Sequence, residues 1–352
     1  MNSAESSFCK KLKLLCIFLS PMGFCILGQG PTLAKDSGRQ DKAMLTFFDF
    51  VSKNISHANF VFDIDSVVTN KLTPRTFSGD LLLDCTNDTV ITLPLKLSAR
   101  GKYRRKNCGF PPLRLNFPKK FLQEMGLSKF DNYKLVTHCL DGSIGSRLVF
   151  KEYLLYKMYA LLTNKSFRTH LFPVTYRDLD SNQFVTSYAF LIESNKELED
   201  RLGGEYCDCY RIKVDSLDAF HHELAALFNY MVGNRDMNVN ELHNVKLMKT
   251  NLDSQLITIP YDFDFSAFVS APYAYPGLKD KLRAQRIYLG LEQNQHVMKG
   301  VYGRFLEARE GFLKIIKEFE LLHSGERKML RKYIDRFYRE LKRQGYKLHQ
   351  QY

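Results

Sequence analysis

The sequence contains no tryptophan, no internal repeat, no low-complexity tract and no Cys/His spacing of a zinc finger. The missing repeat excludes solenoids and propellers, and the missing low-complexity tract excludes a disordered interaction tail. Without a zinc-finger spacing or an interleaved aromatic-basic RNA signature, a net charge of +13 is weak ground for a nucleic-acid partner, and none is expected. A long unbroken apolar run is missing too. The longest, Leu14 to Gly28, is interrupted by Pro21 and is short for a membrane span. The lack of tryptophan excludes nothing.

What remains is a globular chain. At 352 residues, with 45% hydrophobic and 13% aromatic content, it can bury a large core as one two-lobed domain or two smaller ones. Lys10, Lys11 and Lys13 precede the apolar run, and Thr32-Leu33-Ala34 offers a small-residue cleavage site. Residues 1–34 therefore read as an export signal, with an uncleaved N-terminal anchor as the alternative. Three of the eight cysteines lie in that leader, so five remain, enough for two disulfides and one thiol in an oxidising compartment. Cys207 and Cys209 read as a loop pair rather than a metal site. The positive charge is uneven: Leu321 to Tyr352 carries nine Lys or Arg against three acids. Such a balance favours acidic partners.

Periodicity orders the rest. Ala43 to Val51 reads as a short helix, and residues 36–80 otherwise say little. Val90 to Ala99 alternates as a strand, and Leu113 to Phe117 and Tyr133 to Cys139 follow as two more. Between the first two lies Arg100 to Gly109, five cations with no acid, a glycine-bearing basic turn suited to gripping phosphate through Arg100 and Arg104, with Arg114 just beyond. A solvated hairpin tip is the competing reading of that turn. A helix spans Arg147 to Leu162, with Glu152 inside its apolar stripe, where a carboxylate needs a partner. Strands Thr169 to Tyr176 and Val185 to Ile192 come next. An apolar helix through Leu217 to Met231 then leads into a polar loop with Asp236 and Asn244. Two β-like runs follow, Asn244 to Met248 and Gln255 to Pro260, and the second ends at Asp262 and Asp264. Phe305 to Leu322 is broadly apolar, and Glu326 to Arg343 is amphipathic with a basic outer face. That face is suited to solvent or to an anionic surface.

One carboxylate to orient a hydroxyl, with an Asn and an Asp to hold Mg²⁺, is the inventory of phosphoryl transfer. The stretch also carries a resemblance. Asn234-Arg235-Asp236 resembles the His-Arg-Asp catalytic loop of protein kinases, and Asp262-Phe263-Asp264 resembles their Asp-Phe-Gly. With Arg100-Gly101 and Pro260 to Asp264, the combination over residues 80–290 is similar to the CotH-like branch of secreted atypical kinases. The sequence departs from ordinary kinases in two ways: Asp236 and Asn244 are eight apart rather than five, and no Lys stands two residues after Asp236.

The resemblance implies an α+β, bilobal kinase-like fold, with an antiparallel-sheet N-lobe over 35–193 and a mostly helical C-lobe over 194–352. It implies that Lys134, on the strand before the helix, pairs with Glu152 and contacts phosphate, with Arg114 as the competing cation. Asp236 is then the base or orienter, and Asn244, Asp262 and Asp264 are the metal ligands for Mg²⁺ or Mn²⁺. Glu193, in the linker, becomes a ribose contact of ATP, unless it is an ordinary exposed acid. The same element order brings Cys108 to Cys139 as a disulfide. The expected function is a secreted ATP-dependent phosphotransferase acting on a protein, glycan or other hydroxyl acceptor in the cell envelope. The alternatives are nucleotidyl (AMP) transfer on the same fold, or a silent nucleotide- or surface-binding protein.

Overall fold

The computed structural model describes residues 44–275, 285–291 and 295–343, so the leader and the final nine residues lie outside what is described. The fold is mixed α+β. Its N-terminal half is a closed barrel in the order β1-β2-β3-β4-β5-β7-β6. The strands are β1 (Ile55–Phe62), β2 (Phe77–Cys85), β3 (Val90–Ala99), β4 (Leu113–Asn116), β5 (Asn132–Val136), β6 (Thr169–Asp178) and β7 (Phe184–Ile192). Every pairing is antiparallel except the closing seam, where β1 runs parallel to β6. The run from β3 to β7, with one helix between β5 and β6, follows the expected element order.

Two strands were not expected. β1 and β2 come from residues whose alternation is broken. β1 starts with a bulge between Ile55 and His57, so its buried set settles only from Ala58 through Phe60 and Phe62. Where β2 crosses the end of β1, a Cβ on Gly79 would lie 2.7 Å from the Val61 carbonyl oxygen, a spacing only glycine permits. Ahead of β1, helix α1 (Phe47–Asn54) is capped by Thr46, whose hydroxyl accepts from Asp49 N at 3.0 Å. The short helices α2 (Ile64–Thr69), α3 (Arg104–Asn107) and α4 (Lys119–Glu124) fill connections of the barrel.

Helix α5 (Gly142–Leu162) packs away from the barrel interior. Leu148, Leu154, Leu155, Met158 and Tyr159 share a core with the C-terminal half, separate from the barrel core of Phe60, Leu93, Leu115 and Tyr176. β7 serves both, because successive side chains point to opposite faces. Ala189 and Leu191 enter the barrel, while Phe190 and Ile192 face α5.

Beyond the linker, α6 (Asn195–Leu202) starts with a capping box between Ser194 and Glu197. A three-stranded sheet follows, in the order β10-β9-β8, formed by β8 (Gly204–Cys207), β9 (Val245–Thr250) and β10 (Ile257–Pro260). Helix α7 (Ala219–Val232) is capped by Asp218 and stops at Gly233. That residue has φ +67, and a Cβ there would meet Ala267 Cβ at 2.8 Å. Helices α8 (Gln295–Glu318) and α9 (Ser324–Arg343) close the core. On α9, Leu330, Ile334, Phe337, Tyr338 and Leu341 are buried, while Lys328, Lys332, Arg336, Arg339 and Lys342 are exposed. Among the described residues no helix is long and apolar enough to cross a membrane.

The expected disulfide is present. Cys108 and Cys139 are bonded, with Cα atoms 4.6 Å apart, and Gly109 N donates to Cys139 O at 3.1 Å beside it. Cys207 and Cys209 bring their sulfurs together, and Cys85 is buried outside any disulfide. The first bond closes a loop across 31 residues of sequence. Cys139→Ser is therefore expected to lower unfolding stability by roughly 2–4 kcal/mol. The drop is read as a lower denaturant midpoint, and an unchanged midpoint would show that the hydrogen bonds alone hold the loop.

Candidate active site

The catalytic-loop candidates are assembled by short-range bonds. Asn234, almost without exposed surface, donates to Asn229 Oδ1 at 2.8 Å and accepts from Asp236 N at 3.1 Å, which aims the Asp236 side chain. Asn244 Nδ2 donates both to Asp236 O at 2.7 Å and to Asp236 Oδ2 at 2.8 Å. His243 Nε2 lies 3.1 Å from Asp236 Oδ1. The eight-residue spacing has a structural outlet. Asn238 and His243 exchange backbone hydrogen bonds at 3.0 and 2.9 Å, and Asn238 Oδ1 accepts from Glu241 N at 3.2 Å. The extra residues thus form a tight side turn, and Asn244 still arrives beside Asp236. Burial raises the Asp236 pKa against the pull of His243, with the charge of Asp262 adding to it.

The β9–β10 hairpin delivers the next groups. Val245 pairs with Pro260, and Tyr261 N donates to Asn244 O at 3.0 Å, so Asn244 and Asp262 meet at the hairpin's open end. Both adopt left-handed backbone, φ 53 for Asn244 and 61 for Asp262. Asp262 N donates to the Tyr156 hydroxyl of α5 at 2.9 Å. The nitrogen of the Asn244 side chain is committed to Asp236, and its oxygen makes no hydrogen bond among the described residues.

Glu152 does not pair with Lys134. Its partner is Arg104, whose Nη2 lies 3.0 Å from Glu152 Oε1 and 2.6 Å from Asp262 Oδ1. The Nε of the same guanidinium lies 2.8 Å from Asp264 Oδ2. Arg104 was expected on phosphate from an open basic turn. Instead the turn is helical (α3), and Arg104 points inward with 6% exposure while Arg105 and Lys106 stay at the surface. Tyr103 seats the turn, donating to Tyr273 O at 2.7 Å with its ring edge-on to Phe265, and Cys108 fastens its other end. Burial pushes both Glu152 and Asp264 up, against the pull of Arg104. Burial acts on Asp262 in the same sense, but Arg104 and Arg100 hold its pKa down. Nothing in a run of five cations marks which one turns in.

Lys134 faces elsewhere. Its ammonium donates to Asn195 Oδ1 at 3.1 Å and lies over the rings of Tyr261 and Phe167, 5.0 and 5.4 Å from their centroids. Arg114 sits opposite it in register on β4, exposed. Burial lowers the Lys134 pKa to about 7, helped by the charges of Arg100, Lys246 and Arg114, with Asp262 opposing. Lys246 escaped the sequence reading. It lies on β9, and its ammonium is 5.5 Å from the Tyr206 ring centroid. Arg100, Arg114, Lys134 and Lys246 form one cationic group, and among the described residues none makes an ion pair.

One further expectation is corrected. Glu193, taken for a ribose contact or an exposed acid, has no exposed surface. It accepts from Arg168 Nε at 2.8 Å and from Arg201 Nε and Nη2 at 2.8 and 2.9 Å, which pins the linker. Arg286 donates to Met231 O and Tyr333 O and pairs with Glu340, tying residues 285–291 to α7 and α9.

The lowered pKa of Lys134 has a signed consequence. Its folded value of about 7 lies below the unfolded value of ~10.4, so between them the unfolded chain holds the extra proton. Stability contributed at this position therefore rises with pH over that window. Denaturant titrations should show wild type gaining on Lys134→Met as pH increases from about 7 to ~10. A pH-independent difference between the two would mean that Lys134 titrates normally.

No family model and no curated protein matches the chain. Among solved structures it is similar to the crystal structure of a Helicobacter pylori proinflammatory kinase, CtkA, at 11% identity and a TM-score of 0.37, covering 64% of this chain and 86% of that one.

Proposed function

We propose that this protein is a kinase-like, metal-dependent phosphotransferase of the CotH-like kind, using Mg-ATP and acting on a hydroxyl acceptor of the cell envelope. One observation carries the reading: Asp236, Asn244 and Asp262 converge beside a group of four cations that have no ion-pair partners. Three of the four, Arg100, Lys134 and Lys246, are half-buried, and half-buried cations without an ion-pair partner among the described residues favour an incoming anion; a triphosphate supplies several charges at once.

The residues fit a divalent cation. An amide oxygen on Asn244 and a carboxylate on Asp262 are what Mg²⁺ takes from protein when phosphates complete its shell. The bound ion supplies charge neutralisation at the transferring phosphoryl group. The chain's own part is positioning. Asp236, fixed by Asn234 and Asn244 and shared with His243, presents a carboxylate oxygen to orient an acceptor hydroxyl and receive its proton. Lys134, Arg100 and Lys246 draw the phosphates toward the Tyr261 face of the hairpin. The reading also takes the chain to be exported, which the Cys108–Cys139 bond suits. The acceptor class is a protein or a glycan.

A second reading has its own support. The Lys134 ammonium reaches Asn195, just past the linker, rather than α5. Phosphates drawn there would sit at the linker end, the reversed orientation of a nucleotidyl transferase.

Nucleotide binding is tested first. Mg-ATP should raise the melting temperature of wild type, and Asp262→Ala should abolish that shift and reduce transfer by about 10²–10³-fold. Equal shifts in both proteins would dismiss the metal assignment. Label on the product from γ-labelled ATP marks phosphoryl transfer, and label from α-labelled ATP marks nucleotidyl transfer. Absence of any nucleotide-dependent shift would reduce the chain to a scaffold.

A further inference from the structure

The phosphotransferase reading supplies two carboxylates after β10, Asp262 and Asp264, and the expectation that both serve metal. Resting on that reading, we propose that the site takes a single divalent cation, held by Asn244 and Asp262. In this assignment the Arg104 guanidinium stands where a second cation would sit, between Asp262, Asp264 and Glu152.

The geometry argues it directly. A metal shared by Asp262 and Asp264 has to lie between their oxygens. That space holds the guanidinium, with Nη2 2.6 Å from Asp262 Oδ1 and Nε 2.8 Å from Asp264 Oδ2. The same Nη2 lies 3.0 Å from Glu152 Oε1, so helix α5 closes the third side. Arg104 is not a surface side chain that has folded in by chance. Its exposure is 6%, its helical turn is bonded at Cys108, and Tyr103 locks the preceding residue to the segment after Asp264. Withdrawing it means moving that whole turn, and it leaves three acids without the guanidinium that lies between them.

Charge agrees with geometry. Arg104 already sets one positive charge between all three carboxylates, with Arg100 bearing on Asp262 and Glu152 from the loop base. A second divalent ion between the same carboxylates would sit against that retained guanidinium. Asp262 can serve both cations, because Oδ1 takes Arg104 while its side chain keeps 29% exposure. Asp264, at 5%, is enclosed by the guanidinium and the side chains of Tyr273 and Asp262. In this assignment Arg104 is a positioning residue that holds the helix carboxylate and the metal carboxylate in one frame, and Lys134 is left to the ligand.

Manganese counting tests the proposal without reference to turnover. The protein is saturated with adenylyl imidodiphosphate and titrated with Mn²⁺, and tightly bound metal per chain is read by electron paramagnetic resonance. Wild type should hold one ion, Arg104→Lys one, and Arg104→Ala two, since the vacated carboxylates then take a second metal. Two ions in wild type, or one in a folded Arg104→Ala protein, would overturn the assignment and leave the phosphotransferase reading standing. No bound manganese in wild type would remove that reading and this one together. If Arg104→Ala does not fold, the wild-type count decides, with Asp264→Asn as the second variant: its count should stay at one, and a fall to none would overturn the proposal.

Discussion

Three acids from two distant parts of the chain share one guanidinium, and the arrangement of the site depends on that sharing. Glu152 belongs to α5, and Asp262 and Asp264 to the turn after β10. Left alone, their mutual repulsion and the loss of water would drive them apart or keep them protonated. Arg104 resolves the conflict by bringing a third element, the helical turn after β3, over the top. The turn after β3 is therefore docked largely by charge, through Arg104 and its three acids. A planar fork suits that duty better than a lysine's point charge, because it can address Asp264 through Nε and the other two acids through Nη2.

With the acid cluster satisfied by Arg104, Lys134 has no anion of its own. Its environment is an amide oxygen, two aromatic faces and three other cations. Burial and the neighbouring cations lower its pKa to about 7, so near neutral pH amine and ammonium are close to balance and an approaching anion would favour the charged form. Two cations that sequence order would assign to one duty are thus divided: Arg104 holds the protein's own acids, and Lys134 lies against Asn195 and two aromatic faces.

Much of this was legible in the sequence because it is local. Asp236, Asn244 and Asp262 come together through a helix stop, a loop and a hairpin, elements whose periodicity and register are written in adjacent residues. The Cys108–Cys139 bond follows from the antiparallel return of β4 and β5. What escaped was what depends on orientation at a distance. Five cations between two strands look alike until the turn becomes helical and Cys108 fixes which of them points in. Glu193 looks like a solvent-facing linker acid, but the two arginines that bury it, Arg168 and Arg201, lie 25 and 8 residues away. Strands β1 and β2 close the barrel, yet the bulge near Ile55 and the Leu81–Leu83 run hide their alternation. Lys246 sits in a strand whose apolar neighbours drew attention away from it.

The division of the cores limits how the site can move. Strand β7 sends alternate residues to the barrel and to the helical core, and α5 packs wholly with the latter. The barrel is therefore stitched to the helical half along a strand that cannot shift without disturbing both interiors, which close packing resists. Glu193, gripped by two arginines directly after β7, stiffens the one segment that could otherwise act as a hinge. By contrast the turn bearing Arg104 touches the helical half through polar and aromatic contacts at its edge: Tyr103 with Phe265 and Tyr273, and the guanidinium with the acids. Withdrawing that turn would take the guanidinium away from three buried or half-buried acids, so polar contacts hold it in place where packing does not. The Cys108–Cys139 bond fastens its far end, so residues 100–109 are held at both ends.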